Sequence, residues 1–243
     1  MTIRLVTLDL DNTLWDVDSI IRQAEADLRA WLADHAPTSL AHYQPDTLAT
    51  LREGVVAANP ERRHDLSFMR TAVLEAVMVR AGYGAREAAQ QARRAFDVFF
   101  EGRNRVVFFP GALSMLEALQ RDYRLVALTN GNADVHRAGI GDFLHGAYSS
   151  ADVGASKPDA RMFMTPLREL GLAAHEAVHV GDHLVDDVQG ANQAGMHSIW
   201  VNLKDAAAPE DAADKPSREV RHLEAVAEAV AELADQDPAI STR

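Results

Sequence analysis

Cysteine is absent from all 243 residues. Without thiols the chain can form no disulfide, no thiolate zinc or iron–sulfur site and no cysteine nucleophile, so any metal must be held by oxygen or imidazole. Lysine is scarce as well: Lys157, Lys204 and Lys215 are the only lysines among 24 basic residues. A lysine at a motif position is therefore informative where arginine is the habit of the chain. No apolar run approaches the roughly 18 residues of a membrane-spanning helix, which argues against a membrane protein. Positive charge is also in deficit, since 36 acidic residues against 24 basic ones leave a formal charge of −12. Phosphate backbones and anionic membrane surfaces should be repelled, so neither nucleic acid nor membrane is expected as a partner. Met1-Thr2-Ile3-Arg4 leads directly into an apolar strand and lacks the order of a secretory leader, which makes the cytoplasm the expected location.

What remains is an ordinary globular composition, 47% hydrophobic and 25% charged. The length suits one core with a sizeable insertion. Ile3 to Leu8 is short and β-branched, and it runs into Asp9-Leu10-Asp11-Asn12-Thr13, a buried strand followed by a polar loop. Val17, Ile20, Ile21, Ala24, Leu28, Trp31 and Leu32 then recur at helical spacing. Pro37 and Pro45 interrupt before another helical stretch through Leu48, Leu51 and Val55. Two further helices are expected, from about Leu66 to Ala81 and from about Ala85 to Glu101, ending at Gly82 and Gly102.

After Pro110-Gly111 helix and strand alternate. Strands are expected at Arg124 to Leu128, Ala147 to Ser149, Ala177 to Val180 and Ser198 to Val201, with helices from Ala112, over Asp159 to Leu170 and over Asp186 to Ala194. Residues 205 to 217 read as an exposed loop, followed by an edge strand at Arg218 to Arg221 and a helix from His222 to Leu233. Such alternation requires parallel pairing with right-handed crossovers. The expected fold is thus α/β, a doubly wound parallel-sheet (Rossmann-like) core over 1–16 and 106–235, interrupted by an inserted α-helical cap over 17–105, with a frayed tail over 236–243. In such a sheet ligands bind beyond the carboxyl ends of the strands, where strand order reverses.

The acids and hydroxyls sit at those ends. Asp9 and Asp11, two apart on extended backbone, point to one side while Leu10 points to the other. Paired like charges raise each other's pKa unless a cation compensates, and a nucleophile beside an acid is one use of that coupling. The alternative is that they only terminate a strand and bond turn amides. Thr129-Asn130-Gly131-Asn132 offers a hydroxyl and successive backbone N–H groups that can cradle an anion. Lys157, in Ser156-Lys157-Pro158, precedes a helix. Gly181-Asp182-His183-Leu184-Val185-Asp186-Asp187 follows a strand, and Asp186 and Asp187 in a first helical turn could be purely structural. Carboxylates at the ends of two strands, with no cysteine and no paired histidines near them, suit a hard octahedral cation such as Mg²⁺.

Taken in order, Asp9-x-Asp11-x-Thr13, Thr129-Asn130, Lys157 and Gly181-Asp182-x-x-x-Asp186-Asp187 resemble the four motifs of the haloacid dehalogenase-like hydrolases, nearly end to end. The helical insert is similar to that superfamily's α-helical cap at its first insertion position. Within the superfamily, Thr129-Asn130-Gly131-Asn132, Val180-Gly181-Asp182 and the His64-Asp65 pair look most like the flavin-mononucleotide and riboflavin-pathway phosphatases.

The resemblance implies that Asp9 is a nucleophile forming an aspartyl-phosphate and Asp11 the acid and base. Thr129, the Asn130 amide and Lys157 would bind phosphate, and Asp9, the Asp11 carbonyl and Asp182 would bind Mg²⁺. Asp187, at the longer spacing, or Asp186, at the shorter, would support the metal or orient Lys157; spacing leaves that choice open. The implied activity is Mg²⁺-dependent hydrolysis of a small phosphorylated metabolite. Rival readings are a sugar-phosphate mutase, a haloacid dehalogenase and a non-catalytic regulatory homologue. The dehalogenases of the family lack an acid where Asp11 stands, because halide leaves without a proton.

Weaker candidates for substrate contact are Trp15, which could stack on a ring or pack in the core, and the basic cluster Arg62, Arg63, His64 and Arg70 in the cap. That cluster could instead be a solvated face with internal ion pairs. No pattern in the chain speaks to oligomeric state.

Overall fold

The computed structural model describes residues 3–207 and 215–235. The tail expected to fray, and part of the 205–217 loop, lie outside them. Six parallel strands form one sheet: β1 (Leu5–Leu8), β2 (Arg124–Thr129), β3 (Gly146–Ser149), β4 (Ala177–Gly181), β5 (His197–Val201) and β6 (Arg218–Val220), in the order β3-β2-β1-β4-β5-β6. Every residue of β1 is buried, as a strand with neighbours on both edges and helices on both faces must be. Crossovers run outward one way from β1 through β2 to β3 and the other way from β4 through β5 to β6. The order reverses between β1 and β4, which are neighbours, and this is where an open α/β sheet forms its ligand crevice. Leu8 is level with Ala127 on β2 and with Val180 on β4, so Asp9, Thr129 and Gly181-Asp182 leave the sheet along one edge.

The helices are α1 (Val17–His35), α2 (Pro45–Ala58), α3 (Leu66–Arg80), α4 (Ala85–Arg103), α5 (Ala112–Leu119), α6 (Ser150–Val153), α7 (Ala160–Leu170), α8 (Gly190–Gln193) and α9 (Val226–Asp235). The backbone divides into two compact units, one over Met1–Asp16, Val107–Gly131 and Val135–Arg243, the other over Val17–Val106 and Asn132–Asp134. The first holds the sheet. In it Phe163 of α7 is fully buried among Leu5, Val126, Leu128 and Met162, and its ring meets the imidazole of His179 on β4 edge-on at 5.1 Å. The second is all helical, with Ala24, Leu28 and Leu32 of α1 packed on Leu74, Val77, Met78, Ala92 and Phe99 of α3 and α4.

Four boundaries depart from the expectation, each for a local reason. Gly102 does not end α4; a Cβ there would lie 2.9 Å from the Ala24 Cα, so the glycine is kept inside the helix to let α1 approach. Pro45 begins α2 rather than breaking the chain, at the first helical position where the missing N–H costs nothing. The helix expected from Asp186 starts earlier, as a π turn over Leu184–Gln189 that continues into α8. The helix expected from His222 begins as a 3₁₀ turn, Leu223–Ala225, ahead of α9. The three residues Asn132–Asp134 were expected in the core but belong with the helical unit, where the Asn132 side chain donates to Ser67 Oγ at 3.1 Å and the Asp134 N–H to Asn104 Oδ1 at 2.8 Å.

Truncating Phe163 removes a ring from the tightest part of the sheet core. Phe163→Ala is expected to cost about 3–5 kcal/mol, read as a lowered midpoint in urea denaturation of the purified protein.

Candidate active site

Four segments meet in one crevice of about 180 Å³ at the carboxyl ends of β1, β2 and β4. It is lined by Asp9, Asp11, Thr129, Asn130, Lys157, Asp182 and their neighbours through Asp187. Asp9, the first residue past β1, is 7% exposed. Its Oδ1 accepts from Lys157 Nζ at 2.6 Å and its Oδ2 from Thr13 Oγ1 at 3.1 Å. Between them, Asn12 takes φ +62°, a left-handed conformation that Asn tolerates, and this turn sends the Thr13 hydroxyl back toward the strand end. The same hydroxyl lies 3.1 Å from Asp182 Oδ1, so Thr13 bridges the acids that follow β1 and β4. Asp11 also lines the crevice, and its Oδ1 accepts from the Trp15 indole N–H at 2.8 Å.

Trp15 is completely buried, with Phe108 edge-on at 5.8 Å. Of the two readings of Trp15, this is the core-packing one: the ring is buried, with its indole N–H bonded to Asp11 and no face left for a substrate. Arg70 is likewise engaged: Nη1 pairs with Glu25 Oε1 at 2.9 Å, the guanidinium sits 3.5 Å over the Phe99 ring, and Glu25 also accepts from the Tyr43 hydroxyl at 2.8 Å. Arg62 pairs with Asp65 at 2.6 Å and lies over the Phe68 ring, and Arg63 donates to His64 Nε2 at 3.0 Å. The basic cluster of the helical unit is thus bonded within itself.

Lys157 is 4% exposed and its Nζ reaches two carboxylates, Asp9 Oδ1 and Asp187 Oδ1, both at 2.6 Å. Its backbone is fixed by Asn130, whose Oδ1 accepts the Lys157 N–H at 2.7 Å while Nδ2 donates to the Lys157 carbonyl at 3.0 Å. This pair of hydrogen bonds between one side-chain amide and the backbone N–H and C=O of one residue was not foreseen, because the resemblance assigns Asn130 only a backbone amide. Thr129 accepts the Gly131 N–H at 2.9 Å, closing the loop after β2.

Of the two acids between which spacing could not choose, Asp187 is the one in reach of Lys157, whereas Asp186 Oδ2 accepts from Asn130 Nδ2 at 3.3 Å. Gly181 makes room for Asp187: a Cβ on it would lie 2.3 Å from the Asp187 Cγ. The π turn then places the His183 N–H 2.9 Å from Asp187 Oδ2. Behind Asp187 stands His179, also unforeseen, with Nε2 3.0 Å from Asp187 Oδ1. A histidine inside an apolar strand was the available signal. On the far side, the Trp200 indole N–H donates to the Asp182 carbonyl at 2.9 Å.

The electrostatics follow from this crowding. Asp9, Asp182 and Asp187 each offer an oxygen within 4.8 Å of the others, and one ammonium serves them. Burial and the Asp187 and Asp182 charges outweigh Lys157 and push Asp9 up to about 8. Burial also raises Asp182, with Asp187 adding to it. For Asp187, burial is outweighed by Lys157 and His179, which hold it well below the usual carboxylate range. Burial likewise pulls Lys157 down, but Asp187 and Asp9 prevail and hold its ammonium above the ordinary lysine value. Burial keeps His179 neutral by lowering its pKa. One cation among three acids leaves negative charge that a divalent ion can neutralise, and the all-oxygen donor set is of the hard kind that Mg²⁺ or Mn²⁺ prefers.

A family model for haloacid dehalogenase-like hydrolases matches residues 3–195. The chain belongs to that family. It is 34% identical over 199 residues to 5-amino-6-(5-phospho-D-ribitylamino)uracil phosphatase YigB of Escherichia coli K12, covering 82% of this chain and 83% of that one. It is 37% identical over 145 residues to a phosphoserine phosphatase of Thermus thermophilus, 57% of each chain. Among solved structures, one described as a 2-haloacid dehalogenase from Pseudomonas syringae pv. Tomato DC3000 is 41% identical, with TM-score 0.91 over 96% of this chain and all of that one. The fold and the family are therefore those that the four motifs resemble. Among the described residues no helix is long and apolar enough to cross a membrane.

A divalent ion must displace the proton that Asp9 carries below about 8. Affinity for Mg²⁺ is therefore expected to rise with pH and level off above that value, by roughly tenfold per unit where one proton is displaced. Calorimetric titration across this range checks it; in Asp9→Asn the slope should be shallower, with what is left due to Asp182.

Proposed function

We propose that the protein is a Mg²⁺-dependent phosphatase that hydrolyses small phosphorylated metabolites through an aspartyl-phosphate on Asp9. One observation carries this reading: a buried ammonium shared by Asp9 and Asp187 at 2.6 Å, with Asp11 lining the same crevice. A buried carboxylate nucleophile, a fixed cation beside it and a second acid within reach are what phosphoryl transfer requires.

In this reading an Asp9 oxygen attacks phosphorus and the bond to the ester oxygen breaks. Asp11 gives that leaving oxygen its proton, so the alcohol departs neutral. Water then attacks the phosphorus of the aspartyl-phosphate, Asp11 takes a proton from it, and inorganic phosphate leaves with the Asp9 carboxylate restored. The Thr129 hydroxyl, the Asn130 backbone N–H and the Lys157 ammonium bind the equatorial oxygens. Asp9, the Asp11 carbonyl and Asp182 would hold Mg²⁺, which neutralises charge on the transferring group. Trp15 orients Asp11 by its 2.8 Å hydrogen bond, and the paired amide of Asn130 sets the reach of Lys157.

The substrate class to test first is that of riboflavin precursors and flavin mononucleotide, supported by the likeness to the YigB phosphatase. The second reading is dehalogenation, favoured by the likeness to the Pseudomonas syringae structure. Asp11 separates them, since a departing halide needs no proton and an alkoxide does.

With Mg²⁺ present, the wild type is expected to release phosphate from p-nitrophenyl phosphate and to rank phosphorylated metabolites by kcat/KM. Asp9→Asn should lose about a thousandfold or more in kcat. Chloride release from 2-chloropropionate, without phosphate release from any ester, would replace this reading by the dehalogenase one.

A further inference from the structure

The acids and Lys157 of the crevice rest on a layer of polar side chains inside the sheet that the four motifs do not include. Thr7 on β1 and His179 on β4 are both completely buried, and they are level in the parallel pairing of those strands. Thr7 Oγ1 lies 2.8 Å from His179 Nδ1, and His179 Nε2 lies 3.0 Å from Asp187 Oδ1. Asp187 Oδ1 meets Lys157 Nζ, which meets Asp9 Oδ1. Asp9 is two residues beyond Thr7 on the same face of the chain. The contacts therefore close a ring through the backbone, from Thr7 on β1 through His179, Asp187 and Lys157 to Asp9, the residue just past the end of that strand.

The ring has one consistent direction. An ionised Asp187 can only accept, so the hydrogen between it and the imidazole is on Nε2. A neutral ring then presents Nδ1 as acceptor, and the Thr7 hydroxyl donates to it. Phe163 packs edge-on against the imidazole at 5.1 Å. An apolar residue is what a strand buried on both faces ordinarily carries, so the imidazole is not explained by packing alone.

We propose that His179 is a positioning residue for the reaction. Held in the Nε2–H form between Asp187 and Thr7, it aims Asp187 Oδ1 at Lys157 and thereby sets the ammonium against Asp9 and the incoming phosphoryl group. The kinetic part of this inference rests on the phosphatase reading above; the tautomer does not. Groups behind those that touch the substrate commonly contribute about ten- to hundredfold, because small errors in placement weaken transition-state contacts more than ground-state binding.

His179→Leu removes the donor; His179→Gln keeps one near the Nε2 position. Leu is expected to lower kcat on p-nitrophenyl phosphate with Mg²⁺ by about ten- to hundredfold and to leave KM within about threefold, while Gln recovers most of the loss. A role confined to packing would instead give equal losses in the two variants. Nitrogen–proton NMR on histidine-labelled wild type should show the hydrogen of His179 on Nε2, and Thr7→Val should weaken that preference. Unchanged kcat in a folded His179→Leu, equal losses in Leu and Gln, or a hydrogen on Nδ1 in the wild type would each overturn the proposal. If His179→Leu does not fold, the wild-type and Thr7→Val spectra decide. If the wild type hydrolyses no ester, the phosphatase reading fails while the NMR result still judges the tautomer.

Discussion

A single buried ammonium holds the site together. Lys157 is flanked by two carboxylates at 2.6 Å and nearly sealed from water, and removing one partner of such a cluster costs on the order of 3–5 kcal/mol because the remainder is left uncompensated. Each segment of the sheet edge can be understood as a means of delivering one member to this point. Strand β1 brings Asp9. The loop after β2 brings Asn130, whose side-chain amide grips the Lys157 peptide on both sides. Strand β4 ends in a glycine so that Asp187 can fold back against it. The cluster is also short of positive charge, with one ammonium among three acids, so it has room for a cation where a finished salt bridge would have none.

The parts legible in the sequence were those with a period or a terminus to mark them. Alternating helix and strand gave the parallel sheet, and acids at strand ends gave Asp9, Asp11 and Asp182 as crevice residues. Less legible were features that depend on what lies across a contact. Gly102 looks like a helix stop in one dimension and is an approach point for α1 in three. Trp15 could stack on a ring or pack in the core, and the partner that decides it, Asp11 on its indole, shows only in three dimensions. For Arg70 the sequence leaves a choice between an anion contact and an ion pair, and only the contact with Glu25 and Phe99 makes it the second. Asn132–Asp134 follow the core's own loop in sequence, but their hydrogen bonds go to Ser67 and Asn104. His179 stood in plain view in an apolar strand, and only the geometry gives its two nitrogens partners.

The family contains relatives described as phosphatases and as a dehalogenase, and this chain is similar to both. Overall shape cannot separate the two chemistries, since a scaffold does not dictate the reaction carried on it. The distinction falls to one carboxylate, Asp11, and to the indole that fixes it. Its backbone neighbours do the rest: the left-handed Asn12 and the bridging Thr13 keep the β1 loop tight, so that an acid two residues past Asp9 stays at the same mouth.

The burial of Lys157 also changes what can be done to the surface of the molecule. With that amine sealed and bonded, the lysine side chains open to solvent are Lys204 and Lys215, both on the connection between β5 and β6. Apart from the terminal amine, an amine-directed dye, cross-linker or resin would therefore join the chain mainly through this one connection. A protein poor in lysine, whose one crevice lysine is hidden, comes with an oriented attachment point already built in.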